Sequence, residues 1–88
     1  MKIAFDGESF LEYIHWQSQD KKTLKKINSL LRDIARNGPL AGTGKPERLK
    51  YHSAPTYSRR IDDANRLVYL FDEDTGQITV LSCMGHYE

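Results

Sequence analysis

At 88 residues, with 39% of them hydrophobic, the chain has material for one small core, so residues 1–88 are expected to form a single domain. Its one cysteine, Cys83, excludes an intrachain disulfide, and no apolar run approaches the ~20 residues of a membrane span or a signal-peptide core. The expectation is a cytoplasmic protein without a membrane partner. A formal net charge of +1 excludes a bulk polycation, yet cations gather at 21–26, 45–50 and 59–60, leaving room for a local phosphate-binding face.

In chain order, residues 2–5 alternate Lys-Ile-Ala-Phe and predict a short strand. Asp6 is placed to cap a helix whose apolar stripe is read as Phe10, Tyr13, Ile14 and Gln17, with His15 and Trp16 flanking it. Asp20 caps a second helix carrying Leu24, Ile27, Leu31 and Ile34, widened by Leu30. Its other face holds Lys22, Lys25, Lys26 and Arg36, either a solvated surface or an RNA-backbone contact. Asn37-Gly38-Pro39 ends it, since glycine suits the position after a helix and proline cannot continue one.

Helices then give way to strands at Gly42-Thr43-Gly44-Lys45-Pro46-Glu47-Arg48-Leu49-Lys50. Two glycines and a proline fix an irregular backbone there, and one carboxylate sits among three cations. A phosphate-binding P-loop is excluded, because Pro39 and Pro46 occupy positions that motif reserves for Gly and Ser or Thr. Leu49-Lys50 is a candidate short strand. Residues 57–61 alternate Tyr57, Arg59 and Ile61 on one face against Ser58 and Arg60 on the other. A turn at 62–65, a strand at 66–71, a polar hairpin loop at 72–76 and a last strand at 77–84 follow. The fold class is α+β: a short N-terminal strand and an αα-hairpin packed on an antiparallel sheet.

His15, His52, His86 and Cys83 form no metal-binding spacing, so no metal or other cofactor is expected, and no nucleophile elbow is present. What remains is Glu47, the arginines 48, 59, 60 and 66, and the pair His86-Tyr87. A metal-independent ribonuclease needs such parts. A base takes the ribose 2′-OH proton, an acid protonates the departing 5′-oxygen, and guanidinium groups hold the phosphate charge that builds between them. Most chains of this size contain these residue types, so the set alone leaves the reading open.

The motifs in order narrow it. Tyr13-Ile14-His15-Trp16, Lys25-Lys26-Ile27-Asn28, Gly42-Thr43-Gly44-Lys45-Pro46-Glu47, Leu49-Lys50, Ser58-Arg59-Arg60-Ile61, Arg66-Leu67-Val68-Tyr69 and His86-Tyr87 together resemble the YoeB/Txe-type toxins of the RelE/ParE toxin-antitoxin superfamily. That resemblance spans essentially the whole chain. It implies a RelE-like fold of the microbial-ribonuclease kind and a ribosome-dependent endoribonuclease that cuts mRNA in the A site and inhibits translation. It further implies a cognate antitoxin of the YefM/Axe type covering the active site, operator DNA reached only through that complex, and room for a homodimer. By the same resemblance Glu47 is the general base, Arg66 stabilises the scissile phosphate, His86 is the general acid and Tyr87 orients the substrate. Lys45, Lys50, Arg59 and Arg60 then contact RNA. The alternatives are a ParE-like toxin that binds DNA gyrase without cutting RNA, or a module that only binds its antitoxin. Three departures from the family pattern stand out: Glu88 after the His-Tyr pair, Tyr57 where Trp is usual, and Asn65 where His is frequent.

Overall fold

The computed structural model describes residues 1–50 and 52–85. β1 (Lys2–Phe5) leads into α1 (Gly7–Gln19) and α2 (Lys21–Asn37), and then come β2 (Glu47–Arg48), β3 (Thr56–Arg60), β4 (Arg66–Asp72) and β5 (Gln77–Ser82). The strands form one sheet in the order β1-β5-β4-β3-β2. From β2 to β5 the neighbours are antiparallel, as expected, but β1 runs parallel to β5 with Ile3 beside Ile78 and Phe5 beside Val80. The sheet is therefore mixed. The helical hairpin carries the chain from one sheet edge to the other, so the last strand returns alongside the first.

Both helix starts follow from their capping carboxylates. Asp6 Oδ1 accepts the Ser9 N–H at 2.8 Å, and Asp20 Oδ1 accepts those of Lys22 and Thr23 at 3.0 and 3.2 Å. These amide donors, Thr23 foremost, hold the Asp20 carboxyl below the usual carboxylate range. Gly38 closes α2 at φ 87, a left-handed value that favours glycine.

α2 buries Ile27, Leu30 and Ile34 against Tyr57, Leu67, Tyr69, Ile78 and Val80 of the sheet. Leu30, read from sequence as a widening of the stripe, lies at its centre, while Leu24 and Leu31 are only partly buried.

For α1 the expected stripe is corrected. Phe10 and Ile14 are exposed at 49% and 43%, and the inward face is instead Ser9, Glu12, Tyr13 and Trp16. That face docks through hydrogen bonds as much as apolar contact. The Ser9 hydroxyl lies 2.7 Å from Val80 O, Glu12 accepts the Cys83 N–H at 2.8 Å, and Trp16 Nε1 donates to Cys83 O at 2.9 Å. The Tyr13 hydroxyl donates to Asn28 of α2 at 2.6 Å. Tyr13 of the expected stripe does face inward, but hydrophobic periodicity cannot see the share of that face built from Ser9 and Glu12, so Phe10, Ile14 and Gln17 were wrongly included. Burial beneath this helix also pushes the Cys83 thiol up to about 12, which keeps it protonated and inert.

Candidate active site

The helix-free face of the sheet follows from the strand registers. Residues directly opposite in neighbouring strands point to the same side, and the pairs are Glu47 with Ser58, Ser58 with Val68, and Arg60 with Arg66. Tyr57, Arg59 and Leu67 point the other way, toward α2. At the β2 edge of the helix-free face lies a cleft of about 140 Å³ lined by Lys45, Glu47, Ser58, Arg60 and Arg66. One carboxylate thus faces three cations across a shallow basin. Arg60 is also paired with the exposed Asp63 at 3.1 Å, and its Nε is buried without a hydrogen-bond partner among the described residues. Arg66 donates through Nη1 to Asp62 O at 3.3 Å.

The cleft keeps its shape because of what lies beneath it. Arg59 is fully buried, and every guanidinium N–H is used: Nε to the Tyr69 hydroxyl at 3.0 Å, Nη1 to Asp33 and Thr43 O at 2.8 and 2.9 Å, Nη2 to Gly38 O and Ala41 O at 2.9 and 2.7 Å. A guanidinium has five such donors, so none is left for a ligand. The sequence expectation that Arg59 contacts RNA is corrected on that ground. It is the post around which residues 38–43 are wrapped.

Asp33 closes the ring by accepting the Thr43 N–H and hydroxyl. The Thr43 amide is the main reason its carboxyl is held below the ordinary carboxylate range. Tyr69 donates its hydroxyl to Pro39 O at 2.6 Å, and burial raises its pKa.

Two glycines make this wrap possible. A Cβ on Gly42, at φ +108, would sit 2.0 Å from Asp33 Oδ2. One on Gly44, at φ +83, would sit 2.8 Å from Leu30 Cδ2 and 3.2 Å from Arg59 Cβ. Gly44 O then accepts the Arg60 N–H at 2.7 Å, and Lys45 follows in the left-handed region at φ 51. Lys45 and Glu47 are thereby delivered to the cleft.

Other sequence expectations fall elsewhere. The short strand is Glu47–Arg48 rather than Leu49-Lys50, and Lys50 is exposed beyond it and does not line the cleft. His86 and Tyr87, with Glu88, lie outside the described residues. The last described residue does reach the cleft's edge: Gly85 O accepts the Arg66 N–H at 2.9 Å, and Gly85 N donates to Asn65 Oδ1 at 2.8 Å. Tyr57, in place of Trp, is buried and stacked on Tyr69 with centroids 5.8 Å apart. Sequence reasoning missed Ser58 as a lining residue, although strand alternation had put it beside Arg60, and it missed Asp33, whose helix position gave no signal. Among the described residues no cluster of His, Cys, Asp and Glu could hold a metal ion, and no helix is long and apolar enough to cross a membrane.

Comparison with known proteins shows the family and the fold. Residues 5–87 match the family model for the YoeB-like toxin of bacterial type II toxin-antitoxin systems. The toxin YoeB of Streptomyces coelicolor is 44% identical over 87 residues, covering 99% of this chain and all of that protein. The structure of the YoeB dimer from Staphylococcus aureus superposes with a TM-score of 0.89 at 47% identity, covering 99% of this chain and 98% of that one. The heterotetrameric YoeB–YefM toxin-antitoxin complex from the same organism superposes with a TM-score of 0.87, also at 47% identity and with the same coverage. With family match, full-length relatives and fold in agreement, this chain belongs to the YoeB-like toxins of bacterial type II toxin-antitoxin systems.

Proposed function

We propose that the protein is an endoribonuclease that cuts mRNA in the ribosomal A site and so halts translation. The observation that carries this reading is the meeting of Glu47 and Arg66 in one cleft with Lys45 and Arg60. Glu47 is the general base. It takes the proton from a ribose 2′-OH, whose oxygen bonds to the adjacent phosphorus. Arg66, helped by Lys45 and Arg60, holds the negative charge that grows on the phosphate oxygens. The bond from phosphorus to the 5′-oxygen then breaks, and His86 protonates the departing oxygen, with Tyr87 orienting the substrate. Each of these roles falls to a side chain. The products are a 2′,3′-cyclic phosphate and a 5′-hydroxyl.

A shallow basin with few groups does little to fix a flexible RNA. Positioning by the ribosome would supply the orientation that such a site lacks. The cationic face of α2, with Lys22, Lys25 and Lys26 exposed, offers the phosphate contacts for docking. An antitoxin of the YefM type is the inhibitor on this reading, as the assembly of the Staphylococcus aureus relative suggests, and a homodimer is the partner-free form. Cell-free translation with purified protein tests the proposal. Cleavage mapped within codons of translated mRNA, with naked mRNA left intact at the same enzyme concentration, is the expected result. Efficient cutting of naked mRNA, or inhibition with intact mRNA, contradicts it.

A further inference from the structure

The floor of the cleft carries a donor that the proposed cleavage leaves unused. Buried hydroxyls are normally spent on a hydrogen bond. Ser9, Thr23 and Thr56 follow that rule, donating to Val80 O at 2.7 Å, Asp20 Oδ2 at 2.9 Å and Ala54 O at 2.9 Å. Ser58 is buried too, with 4% of its surface exposed, yet its hydroxyl has no hydrogen-bond partner among the described residues. What opening it has is onto the cleft, which it lines with Lys45, Glu47, Arg60 and Arg66.

Strand register fixes where that hydroxyl stands. Ser58 pairs with Glu47 across the β2–β3 ladder, and such partners hold their Cβ atoms about 5 Å apart. Two residues on, about 7 Å along the same face of β3, Arg60 pairs with Arg66 of β4. Ser58 therefore lies between the carboxylate assigned to the 2′-OH and the guanidiniums assigned to the phosphate. In RNA those two groups sit on adjacent ribose carbons, so a chain with its 2′-OH at Glu47 brings a non-bridging phosphate oxygen over this gap. Val68, the partner of Ser58 on β4, is apolar and buried and offers the oxygen no competing contact. A cation directly opposite a general base weakens it by favouring its charged form, whereas a neutral hydroxyl does not.

We infer that Ser58 is a further catalytic residue, whose hydroxyl donates to a non-bridging oxygen of the scissile phosphate beside Arg66. The hydroxyl keeps its proton throughout and forms no covalent bond. The inference rests on the ribonuclease reading above and deepens it. A donor aimed at an oxygen that gains charge binds it more strongly in the transition state, so its loss falls on the rate of cleavage rather than on docking.

The test is single-turnover cleavage on programmed ribosomes at saturating protein, with Ser58→Ala and with Ser58→Cys, which keeps nearly the same volume but donates weakly. Thermal melting verifies that each variant is folded. Both should cut about tenfold to a hundredfold more slowly than wild type, with an unaltered pH profile. A phosphorothioate at the scissile position should slow wild type in one diastereomer more than the other, and Ser58→Ala should narrow that difference, since sulfur accepts hydrogen bonds poorly. Cleavage at the wild-type rate by Ser58→Ala overturns the inference. So does a wild-type rate for Ser58→Cys alone, which would leave Ser58 a packing role. A shifted pH profile in Ser58→Ala with the diastereomer difference intact also overturns it, assigning the hydroxyl to the Glu47 carboxylate. Wild type that does not cleave at all refutes the ribonuclease reading itself, whereas a slow Glu47→Gln beside an unimpaired Ser58→Ala refutes only the assignment of Ser58.

Discussion

Arg59 and Arg60 are neighbours in sequence with opposite fates, and strand alternation decides between them. Arg60 faces the cleft, whereas Arg59 enters the core and satisfies all its donors on Asp33, Tyr69 and three loop carbonyls. The alternation was legible in sequence, but a buried arginine was not, because burial of a cation depends on partners from α2 and the 38–43 loop that no local pattern announces. Removing it leaves those partners unpaired, so Arg59→Ala should cost about 3–5 kcal/mol of unfolding free energy, measured by urea denaturation. Arg59→Lys should recover little, since an ammonium cannot reproduce the fork.

Asp33 adds a pH signature. Its folded pKa lies below the roughly 3.9 of an unfolded aspartate, so its contribution is complete above about pH 4 and is lost as pH falls through the folded value. The stability gap between wild type and Asp33→Asn should therefore stay level above about pH 4 and shrink as the pH falls below it; a gap that stays constant on acidification would show that the carboxylate is unperturbed.

Element by element, what apolar periodicity and capping chemistry control was legible from the residues alone. The caps at Asp6 and Asp20, the stripe of α2, the stop at Gly38 and the polar hairpin loop all stand where their residues imply. The face of α1 did not, because Ser9 and Glu12 dock it by hydrogen bonds while Phe10, Leu11 and Ile14 stay exposed. Ile27→Ala should then cost about 2–5 kcal/mol, as for other large-to-small core changes, whereas Leu11→Ala should stay within about 0.5 kcal/mol. Equal losses in thermal or chemical denaturation would contradict the exposed placement of Leu11. In the 38–50 segment the glycines were legible as irregular backbone, but what they wrap was not. Gly44→Ala should destabilise by about 1–3 kcal/mol, because a left-handed Cβ must displace Leu30 or Arg59. It should also slow cleavage by shifting Lys45 and Glu47, both read on the same purified variant.

Across the whole molecule, the helices and the buried Arg59 form one side, and the cleft at the β2 edge of the other side carries the chemistry. Glu47 is distant in sequence from Arg60 and Arg66, yet the registers of β2, β3 and β4 place all three in one basin. The central claim is that Glu47 starts the reaction by taking the 2′-OH proton. Single-turnover cleavage on programmed ribosomes, with analysis of the RNA ends, tests it most directly. Wild type should leave 2′,3′-cyclic phosphate and 5′-hydroxyl ends, and Glu47→Gln and His86→Gln should each be slower by roughly a hundredfold or more, the usual scale for losing general acid–base help. Glu47→Gln cutting at the wild-type rate, or 3′-hydroxyl ends that exclude 2′-oxygen attack, would contradict the account.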